Sequence, residues 1–381
     1  MEGTGRRSDP RRLSRRALLA LTGSSAAALL LASCGTPAAP PPPTAVPKPA
    51  AAPPPQPTAA PAQAAAAAPA AAKAAEPAIG PAEKSKIVFS TFNANYANQA
   101  TLFSAVDKGF FKEEGLEIQI VDTEQGLEGA VGGSVDIAHL DTGPSVAAMM
   151  KDVKAKMVSP WRTSEFFMYS VSKKINTVAD MDGKSMINYP IGDRVFLLHL
   201  GFLKEAGYDT STVKVNWIQM PGTSDAKVQT FLDGKVDGAY HYPRHLEDIK
   251  TAGGRNLYQK LQKWPQEMLL ATDAFIAKNP NTITRFLRAI IRGAQIWTDT
   301  KNKDYIIKLM ESKGFKIPDP YKRAYEFEPI QFSPDMGFDP ADMQKLLVTY
   351  MPNPPSLSSF FDPRFLNAAQ RSLGLKPNPA L

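Results

Sequence analysis

The chain has 381 residues, of which 43% are hydrophobic, 34 are proline and one is cysteine, and this length is sufficient for two α/β lobes. Beyond the N-terminus there is no run of about 18 or more apolar residues, which excludes a membrane-spanning helix from the body of the chain. The 44 basic and 37 acidic residues give a formal net charge of +7. Without the six arginines and two acids of the first 34 residues, 38 and 35 remain, so the net charge is about +3 and no nucleic-acid partner is expected.

Residues 1–34 have the pattern of an export signal, with arginines before an apolar run. Arg15 and Arg16 with their neighbours resemble a twin-arginine signal, and an ordinary Sec signal is the alternative. Leu31–Gly35 matches the bacterial lipobox, in which Cys34 becomes the lipidated N-terminus. Because Cys34 is the only cysteine, intrachain disulfides and cysteine metal clusters are excluded.

Residues 35–84 consist almost entirely of alanine, proline, threonine and glutamine. Such a segment cannot bury a core, and we expect a disordered tether. The lipid and the tether together predict an exported protein, anchored at the outer face of the cytoplasmic membrane or in the periplasm.

The folded body begins at Lys86 with a strand, Ile87–Phe89, and the loop after this strand leads into a helix. Backbone N–H groups at a helix start, together with asparagine side chains, make a natural polar ligand site. The same asparagines are equally expected as N-caps. The candidate ligand residues of this loop are Phe92, Asn93, Asn95 and Tyr96.

Two further strands are predicted in the first lobe. Leu116–Ile120 alternates apolar with polar residues, and Val135–Ala138 is a short apolar strand that runs into a polar loop. Because ligands bind at the carboxyl ends of strands in open α/β sheets, we expect Asp141 and Thr142 of that loop to contact the ligand.

Two motifs of this region recur later in the same order. Gly109–Leu116 is echoed by Gly201–Tyr208, and Gly133–Ala138 is echoed by Gly234–Ala239. Repetition in the same order predicts two lobes of like design, each with loops at its strand ends.

Four segments together resemble a known family: KGFFKEEGLEIQI from Lys108, GSVDIA from Gly133, VADMDGKSM from Val178, and FFDPRFLNAAQRSLG from Phe360. They resemble the NMT1/THI5-like and SsuA-like solute-binding proteins of ABC importers, over roughly 86–375. The resemblance implies an α/β, periplasmic-binding-protein-like fold, in which two α/β lobes enclose a ligand cleft and are joined by a two-crossover hinge. It also implies a small-molecule solute, ABC permease and ATPase subunits as partners, no cofactor, and a monomer.

The lobe boundaries follow from the repeats and from the expected return of the chain near Trp264. We predict lobe I as residues 86–171 plus 266–375, and lobe II as residues 172–265. Trp161 lies in the connection after Pro160, and it is interpreted either as a buried packing residue or as a ring that stacks on the ligand.

The second lobe offers tyrosines and arginines at its strand ends, which are suited to hold an aromatic ring and an anionic group. His241 and His245 are four residues apart, but Pro243 lies between them and no acidic or thiol residue completes a metal-ligand spacing with them, so no metal is expected. The candidate ligand residues here are Tyr189, Asp193, Arg194, Tyr240, Tyr242 and Arg244.

The expected function is capture of a small molecule and its delivery to an ABC importer. Relatives carry oxyanions or flat heterocycles, and the many aromatic candidates favour a flat heteroaromatic of thiamine-pyrimidine or riboflavin type over an alkanesulfonate or nitrate. A lipid-anchored scaffold without a ligand is a further alternative.

An enzyme is the remaining alternative, because some THI5-type relatives synthesise the thiamine pyrimidine with pyridoxal phosphate. Proteins of that group have a motif similar to N-W-x-P-x-x-x-H after their first strand. In this chain, Phe92 stands in place of the tryptophan and Asn98 in place of the histidine. The cysteine cluster of that group is also absent from this sequence, so we do not expect the chain to be an enzyme.

Overall fold

The computed structural model describes residues 79–92, 95–191, 194–220 and 223–378, and for Arg194 it describes the backbone alone. The signal at 1–34 with Cys34, most of the tether at 35–84, Asn93 and Asp193 lie outside the described residues. No helix of the described part is long and apolar enough to cross a membrane.

Ten strands and fourteen α-helices are described. The strands are β1 Lys86–Thr91, β2 Glu117–Asp122, β3 Ile137–Asp141, β4 Ala155–Pro160, β5 Ser164–Val171, β6 Ser185–Asn188, β7 Asn216–Gln219, β8 Gly238–His241, β9 Arg255–Lys263 and β10 Glu267–Thr272. The helices are α1 Tyr96–Asp107, α2 Phe110–Glu113, α3 Gly126–Gly132, α4 Thr142–Met149, α5 Arg194–Glu205, α6 Ser224–Leu232, α7 Leu246–Thr251, α8 Asp273–Lys278, α9 Pro280–Thr298, α10 Lys303–Ser312, α11 Asp319–Arg323, α12 Pro340–Val348, α13 Leu357–Phe360 and α14 Arg364–Ser372.

The first sheet has the strand order β2-β1-β3-β10-β4. β1 pairs with β2 and β3 in parallel, and β10 is antiparallel to β3 and β4. Ile87, Phe89 and Ile137 are fully buried, as expected for parallel strands that are covered by helices on both faces. The long helix α9 covers this sheet and packs against α1, where a Cβ on Gly293 would lie 2.3 Å from the carbonyl oxygen of Thr101.

The second sheet repeats this design with the order β7-β6-β8-β5-β9. β6 pairs with β7 and β8 in parallel, and β5 is antiparallel to β8 and β9. The prediction of two like α/β units is confirmed, since β6, β7 and β8 correspond in order and direction to β1, β2 and β3.

The first lobe boundary lies earlier than the sequence indicated. β5 begins at Ser164 and belongs to the second sheet, whereas the sequence analysis kept the chain in lobe I up to Val171. All eight residues of β5 are buried because it lies between β8 and β9. The chain crosses between the sheets at Trp161–Thr163, directly after Pro160 ends β4, and returns at Trp264–Gln266.

Candidate ligand-binding cleft

The two connections between the sheets lie side by side. The backbone N–H of Trp161 donates a hydrogen bond to the carbonyl of Glu267 at 2.8 Å, and that of Trp264 donates to Thr163 at 2.8 Å. We call Trp161–Thr163 the first crossover and Trp264–Gln266 the second crossover. Two short segments of this kind are where a hinge between lobes absorbs a change in backbone angles.

A cleft of about 380 Å³ lies beside the first crossover. Both sheets and the C-terminal segment contribute to its lining. The lining residues are Asn95, Tyr96, Ala97, Asn98, Arg162, Glu165, Thr223, Ser224, Asp225, Tyr242, Arg244, Tyr321, Glu328 and Gln331.

Other cavities of the described residues have a different composition. One of about 440 Å³ lies near β2 and α2, with mostly apolar lining such as Phe111 and Leu116. One of about 460 Å³ lies beside the second crossover, between Pro265 and the loop around Phe338. Neither is lined by strand-end loops of both sheets, so the 380 Å³ cleft is the candidate site.

Two helices begin at the cleft. The Asn95 side chain accepts a hydrogen bond from the N–H of Asn98 at 3.0 Å and caps α1, and Thr223 accepts from Ala226 at 3.3 Å and caps α6. Asn95 is therefore an N-cap that also lines the cleft. The remaining free N–H groups and the helix dipoles make both helix starts suitable for acceptor groups of a ligand.

Arg244 is held on the second-lobe side of the cleft. Its Nη2 donates to Ser224 Oγ at 2.7 Å and to Asp225 Oδ1 at 3.1 Å. The guanidinium lies 4.9 Å from the centre of the Tyr242 ring and 4.6 Å from that of Tyr321. A cation between two rings thus joins the second lobe to the C-terminal segment.

Asp225 is an ionised carboxylate beside a neutral histidine. Burial lowers the pKa of His245 to about 4, so its ring is uncharged at neutral pH. Its Nδ1 accepts from the Tyr242 N–H at 3.2 Å, so we infer that Nε2 donates to Asp225 at 2.6 Å. Burial raises the pKa of Asp225, but this hydrogen bond and the charge of Arg244 outweigh burial and bring the pKa below its usual value. The sequence analysis did not expect the contact of His245 with the acidic side chain of Asp225. Among the described residues, no group of three potential metal ligands occurs.

A buried polar chain lies beneath the first-lobe side of the cleft. Arg162 Nη2 is 2.8 Å from Glu267 Oε1, and His139 Nε2 is 3.0 Å from Glu267 Oε2. His139 Nδ1 in turn lies 3.0 Å from Thr91 Oγ1, which accepts from Gln99 Nε2 at 2.6 Å. The His139 ring thus lies between the Thr91 hydroxyl and the Glu267 carboxylate, with one ring nitrogen in contact with each.

The Arg162–Glu267 pair remains ionised although it is buried. Burial raises the pKa of Glu267, and the Arg162 charge with the His139 hydrogen bond outweighs this and lowers the pKa. Burial lowers the pKa of Arg162, and the charges of Glu267 and Glu165 raise it above its usual value. Since Arg162 belongs to the first crossover and Glu267 follows the second, this ion pair joins the two crossovers.

Four of the thirteen candidate residues line the cleft, and the structure places six others elsewhere. Asn93 and Asp193 are outside the described residues, as is the Arg194 side chain. The residues that line the cleft are Asn95, Tyr96, Tyr242 and Arg244. The described candidates that do not line it are Phe92, Asp141, Thr142, Trp161, Tyr189 and Tyr240.

Trp161 is a packing residue, which is the other interpretation that the sequence allowed. It is only 1% exposed, its ring centre lies 4.9 Å from that of His139, and its Nε1 donates to the carbonyl of Asn98 at 3.1 Å. At the end of β4 the Trp161 ring points into the first-lobe core. From there its hydrogen bond supports the backbone of Asn98, which lines the cleft.

Phe92, Asp141 and Thr142 also belong to the first-lobe interior and its helix start. Phe92 packs with its ring centre 4.8 Å from that of His139, and Asp141 is the N-cap residue of α4. Thr142 is fully buried, with its Oγ1 donating to Pro265 O at 2.8 Å and its N–H donating to Gln266 O at 2.6 Å. The end of β3 is therefore fastened to the second crossover instead of facing the cleft.

Tyr189 and Tyr240 stack on each other inside the second lobe. Their ring centres are 4.5 Å apart, and the Tyr240 hydroxyl accepts from Lys227 Nζ at 2.9 Å. The Tyr189 hydroxyl lies 3.5 Å from that of Tyr242, so this stacked pair backs a cleft residue.

The sequence analysis missed ten lining residues. Those at the start of α6 follow a strand end, and the same rule that selected Asn95 would have found them. The C-terminal residues carry no such signal, because they reach the cleft through tertiary packing alone. The missed residues are Ala97, Asn98, Arg162, Glu165, Thr223, Ser224, Asp225, Tyr321, Glu328 and Gln331.

A family model described as NMT1/THI5 like matches residues 96–302, more than half of the chain. No curated protein matches the sequence.

Solved structures share the fold at low sequence identity. The SsuA protein of Methylobacillus flagellatus, described as the periplasmic sulfonate-binding protein of a putative sulfonate ABC transporter, has a TM-score of 0.60 at 15% identity, over 78% of this chain and 99% of that one. The periplasmic aliphatic sulphonate binding protein SsuA of Escherichia coli has a TM-score of 0.53 at 16% identity, over 73% and 92%. The desulfurization enzyme DszB, as a mutant in complex with biphenyl-2-sulfinic acid, has a TM-score of 0.53 at 13% identity, over 75% and 99%.

These likenesses establish the fold and no more. The periplasmic-binding-protein-like α/β fold expected from the sequence is confirmed by its two mixed sheets and by these neighbours. Because the same fold carries both binding proteins and an enzyme, function has to be argued from the cleft.

Proposed function

The chain belongs to the NMT1/THI5-like family, and from that premise we propose that it is an extracytoplasmic solute-binding protein that delivers a small molecule to an ABC importer. The neighbours described as periplasmic sulfonate-binding proteins support this transport role. So does the position of the cleft, beside two hydrogen-bonded crossovers that are suited to hinge closure around a solute. The partners would be the permease and ATPase subunits of the importer.

The proposal includes export and a lipid anchor at Cys34. The lipobox Leu31–Gly35 supports it, and the Ala/Pro-rich segment that follows would serve as the tether. A Cys34→Ser variant should leave the membrane fraction, because a peptide tether alone has no hydrophobic anchor. Retention of that variant in carbonate-washed membranes would contradict the anchor.

Binding without catalysis is favoured by the composition of the cleft. Its described lining includes no cysteine and no histidine, and histidine is the commonest general base in enzymes. The likeness to DszB therefore extends to the fold, while the cleft of this chain is better suited to hold a solute than to convert it.

The favoured solute is a flat heteroaromatic with hydrogen-bonding edges, of pyrimidine or flavin type. One observation carries this proposal: Tyr96, Tyr242 and Tyr321 line one cleft together with the amide side chains of Asn98 and Gln331. Tyrosine rings supply flat apolar walls, and amide groups offer donors and acceptors to ring nitrogens and carbonyls. A cleft of about 380 Å³ falls in the ordinary range for small-molecule sites.

An alkanesulfonate or nitrate is the second candidate, because two helix starts and two guanidinium groups face the cleft. Both guanidinium groups, however, already hold carboxylates, Arg162 that of Glu267 and Arg244 that of Asp225. Glu165 and Glu328 add two further acidic side chains to the lining. This balance of charge opposes a small anion.

Mass spectrometry of the solute released from denatured protein tests the proposal, followed by calorimetry with that solute. A heteroaromatic solute is expected, and Tyr321→Ala should weaken its binding by about 1–3 kcal/mol, the range for bases stacked on aromatic side chains. Tyr305→Ala is the matched control, because Tyr305 lies on α10 and does not line the cleft. Tight binding of nitrate or an alkanesulfonate that is indifferent to Tyr321 would overturn the heteroaromatic proposal.

A further inference from the structure

Glu328 is a cleft residue that neither the sequence patterns nor the family match accounts for. It lies between two 3₁₀ turns, Tyr325–Phe327 and Pro329–Gln331, beyond residue 302 where the family match ends. Its side chain nevertheless lines the cleft together with residues of both sheets. The family match therefore does not extend to this carboxyl group.

The Glu328 carboxylate is held in place from one side. Gln331 Nε2 donates to Glu328 Oε2 at 3.0 Å and to the carbonyl of Phe327 at 3.1 Å. Gln331 is itself 4% exposed, and its backbone carbonyl accepts from the N–H of Thr163 at 3.0 Å. Because Thr163 belongs to the first crossover, the carboxylate is fixed relative to the hinge.

No cation of the described residues forms an ion pair with Glu328. Arg162 and Arg244 are the nearby positive charges, and each is engaged by another carboxylate, at 2.8 Å and 3.1 Å. The other charged cleft side chains are the acids Glu165 and Asp225. Burial raises the pKa of Glu328, and the more distant charges of Arg244 and Arg162 only partly oppose this.

A half-buried carboxylate with a single amide neighbour has unused acceptor capacity, which water fills while the cleft is empty. A solute that displaces this water has to supply a donor in its place, because a carboxylate that loses hydrogen bonds on burial costs free energy. Since Glu328 lines the cleft, a solute bound there can supply that donor.

We propose that Glu328 is a specificity-determining residue that accepts a hydrogen bond from an N–H group of the solute. The solute class then narrows to compounds with an amino, amide or protonated nitrogen. This inference rests on the proposed function, because it assumes that the cleft binds a small molecule. The lining has three acids, Glu165, Asp225 and Glu328, against the two arginines, and this balance of charge favours a solute that donates a hydrogen bond.

Calorimetry on the full chain with aminopyrazine and methylpyrazine tests this inference. The two probes are flat rings of similar shape, and only aminopyrazine carries an exocyclic N–H donor. The wild type should bind aminopyrazine roughly tenfold more tightly than methylpyrazine, as expected for a hydrogen bond to a charged acceptor. Glu328→Gln keeps the shape of the side chain and should reduce this preference to near unity.

Glu326→Gln is the matched control, because Glu326 is an exposed acid in the adjacent turn and does not line the cleft. It should leave the preference unchanged, and circular dichroism verifies that both variants are folded. Equal binding of the two rings by the wild type, or a preference that survives Glu328→Gln, would overturn the inference and leave the proposed function standing. If neither ring binds, the heteroaromatic proposal fails together with the inference, and methanesulfonate then tests the oxyanion alternative within the same proposed function.

Discussion

The loops after β3 and β8 occupy equivalent places in the two sheets but make different contacts. After β3, Thr142 donates hydrogen bonds to both Pro265 and Gln266 of the second crossover and is fully buried. After β8, Tyr242 and Arg244 line the cleft. The sequence repeat made these loops look interchangeable, and the structure gives the first a structural role and the second a place in the candidate site.

The register of the antiparallel strand next to each loop explains this difference. β10 begins opposite the end of β3, with Glu267 paired to Asp141, so the second crossover lies directly against the loop. In the second sheet Met168, which lies well inside β5, is paired to His241. The first crossover is therefore displaced from the end of β8, and the Tyr242–Arg244 loop is left open to the cleft.

Removal of the Glu267 carboxylate should give the largest loss of unfolding free energy, because this carboxylate pairs with Arg162 beneath the first-lobe side of the cleft. Glu267→Gln leaves Arg162 buried without its counter-charge, and breaking such a pair costs about 3–5 kcal/mol of unfolding free energy. Urea unfolding measures the change. Glu117→Gln is the control, since Glu117 is an exposed acid on β2 of the same sheet, and a similar loss in both variants would contradict the ion-pair account.

The same variant should show a defined pH dependence. The pKa of Glu267 is lowered in the folded state, so its ionisation stabilises the protein above the unfolded carboxyl pKa, and this contribution is lost as the pH falls through the folded pKa. The difference in stability between wild type and Glu267→Gln should therefore shrink in acid. A difference that stays constant with pH would indicate packing loss alone.

Thr142→Val tests the structural role of the loop after β3. The substitution keeps the shape of the side chain but leaves the Pro265 carbonyl without its side-chain donor, which costs about 1–3 kcal/mol of unfolding free energy. Thr210→Val is a suitable control, because Thr210 is exposed in the turn between α5 and β7. A loss no greater than that of the control would mean that the fastening to the second crossover is unimportant.

Glu328→Gln should increase stability at neutral pH. Burial raises the pKa of Glu328 above its ordinary value of 4.5, so the ionised carboxylate destabilises the folded state above the folded pKa, and this penalty is absent below the unfolded pKa. A gain in unfolding free energy at neutral pH is expected, because the neutral amide does not carry the burial penalty of the ionised carboxylate. Thermal unfolding of variant and wild type at neutral pH and below pH 4.5 measures it, and a gain of equal size at both would contradict the assignment.

The ion pairs between α11 and α7 should give the smallest effect on stability. Arg323 of α11 has its Nε 2.6 Å from Glu247 Oε2 and its Nη2 3.1 Å from Asp248 Oδ1, both on α7. All three side chains are exposed, so Arg323→Ala should lower the unfolding free energy by at most about 1 kcal/mol, and high salt should abolish the difference. Lys322→Ala serves as control because its partner Glu311 is on α10; a loss that persists at high salt would mean that packing, and not charge, joins α11 to α7.

The sequence was sufficient to predict the fold and some of the residues that line the candidate cleft. Alternating and apolar runs located the strands. Four of the residues that the strand-end rule selected line the candidate cleft: Asn95, Tyr96, Tyr242 and Arg244. The rule could not separate Trp161 from these, because a tryptophan at a strand end has the same sequence signature whether its ring enters the core or the cleft.

The remaining residues depend on information that local patterns do not contain. Thr142 was misplaced because the register of β10 decides where the second crossover runs, and register follows from tertiary pairing. Tyr321 and Glu328 were missed because they reach the cleft from short turns without strand-end or repeat signals. Arg162 was missed because its position depends on the ion pair with Glu267, and these two residues are far apart in the sequence.

Calorimetry of the co-purified solute with Thr142→Val and Arg244→Gln tests the central claim most directly. These residues belong to the two equivalent loops, so the pair separates a structural loop from a binding loop within one fold. The account predicts that Thr142→Val binds the solute with unchanged affinity. Arg244→Gln should lose roughly tenfold or more, because it removes the guanidinium that holds Asp225 and the Tyr242 and Tyr321 rings around the cleft. Unchanged affinity in Arg244→Gln, or an equal loss in both variants, would contradict a binding site in this cleft.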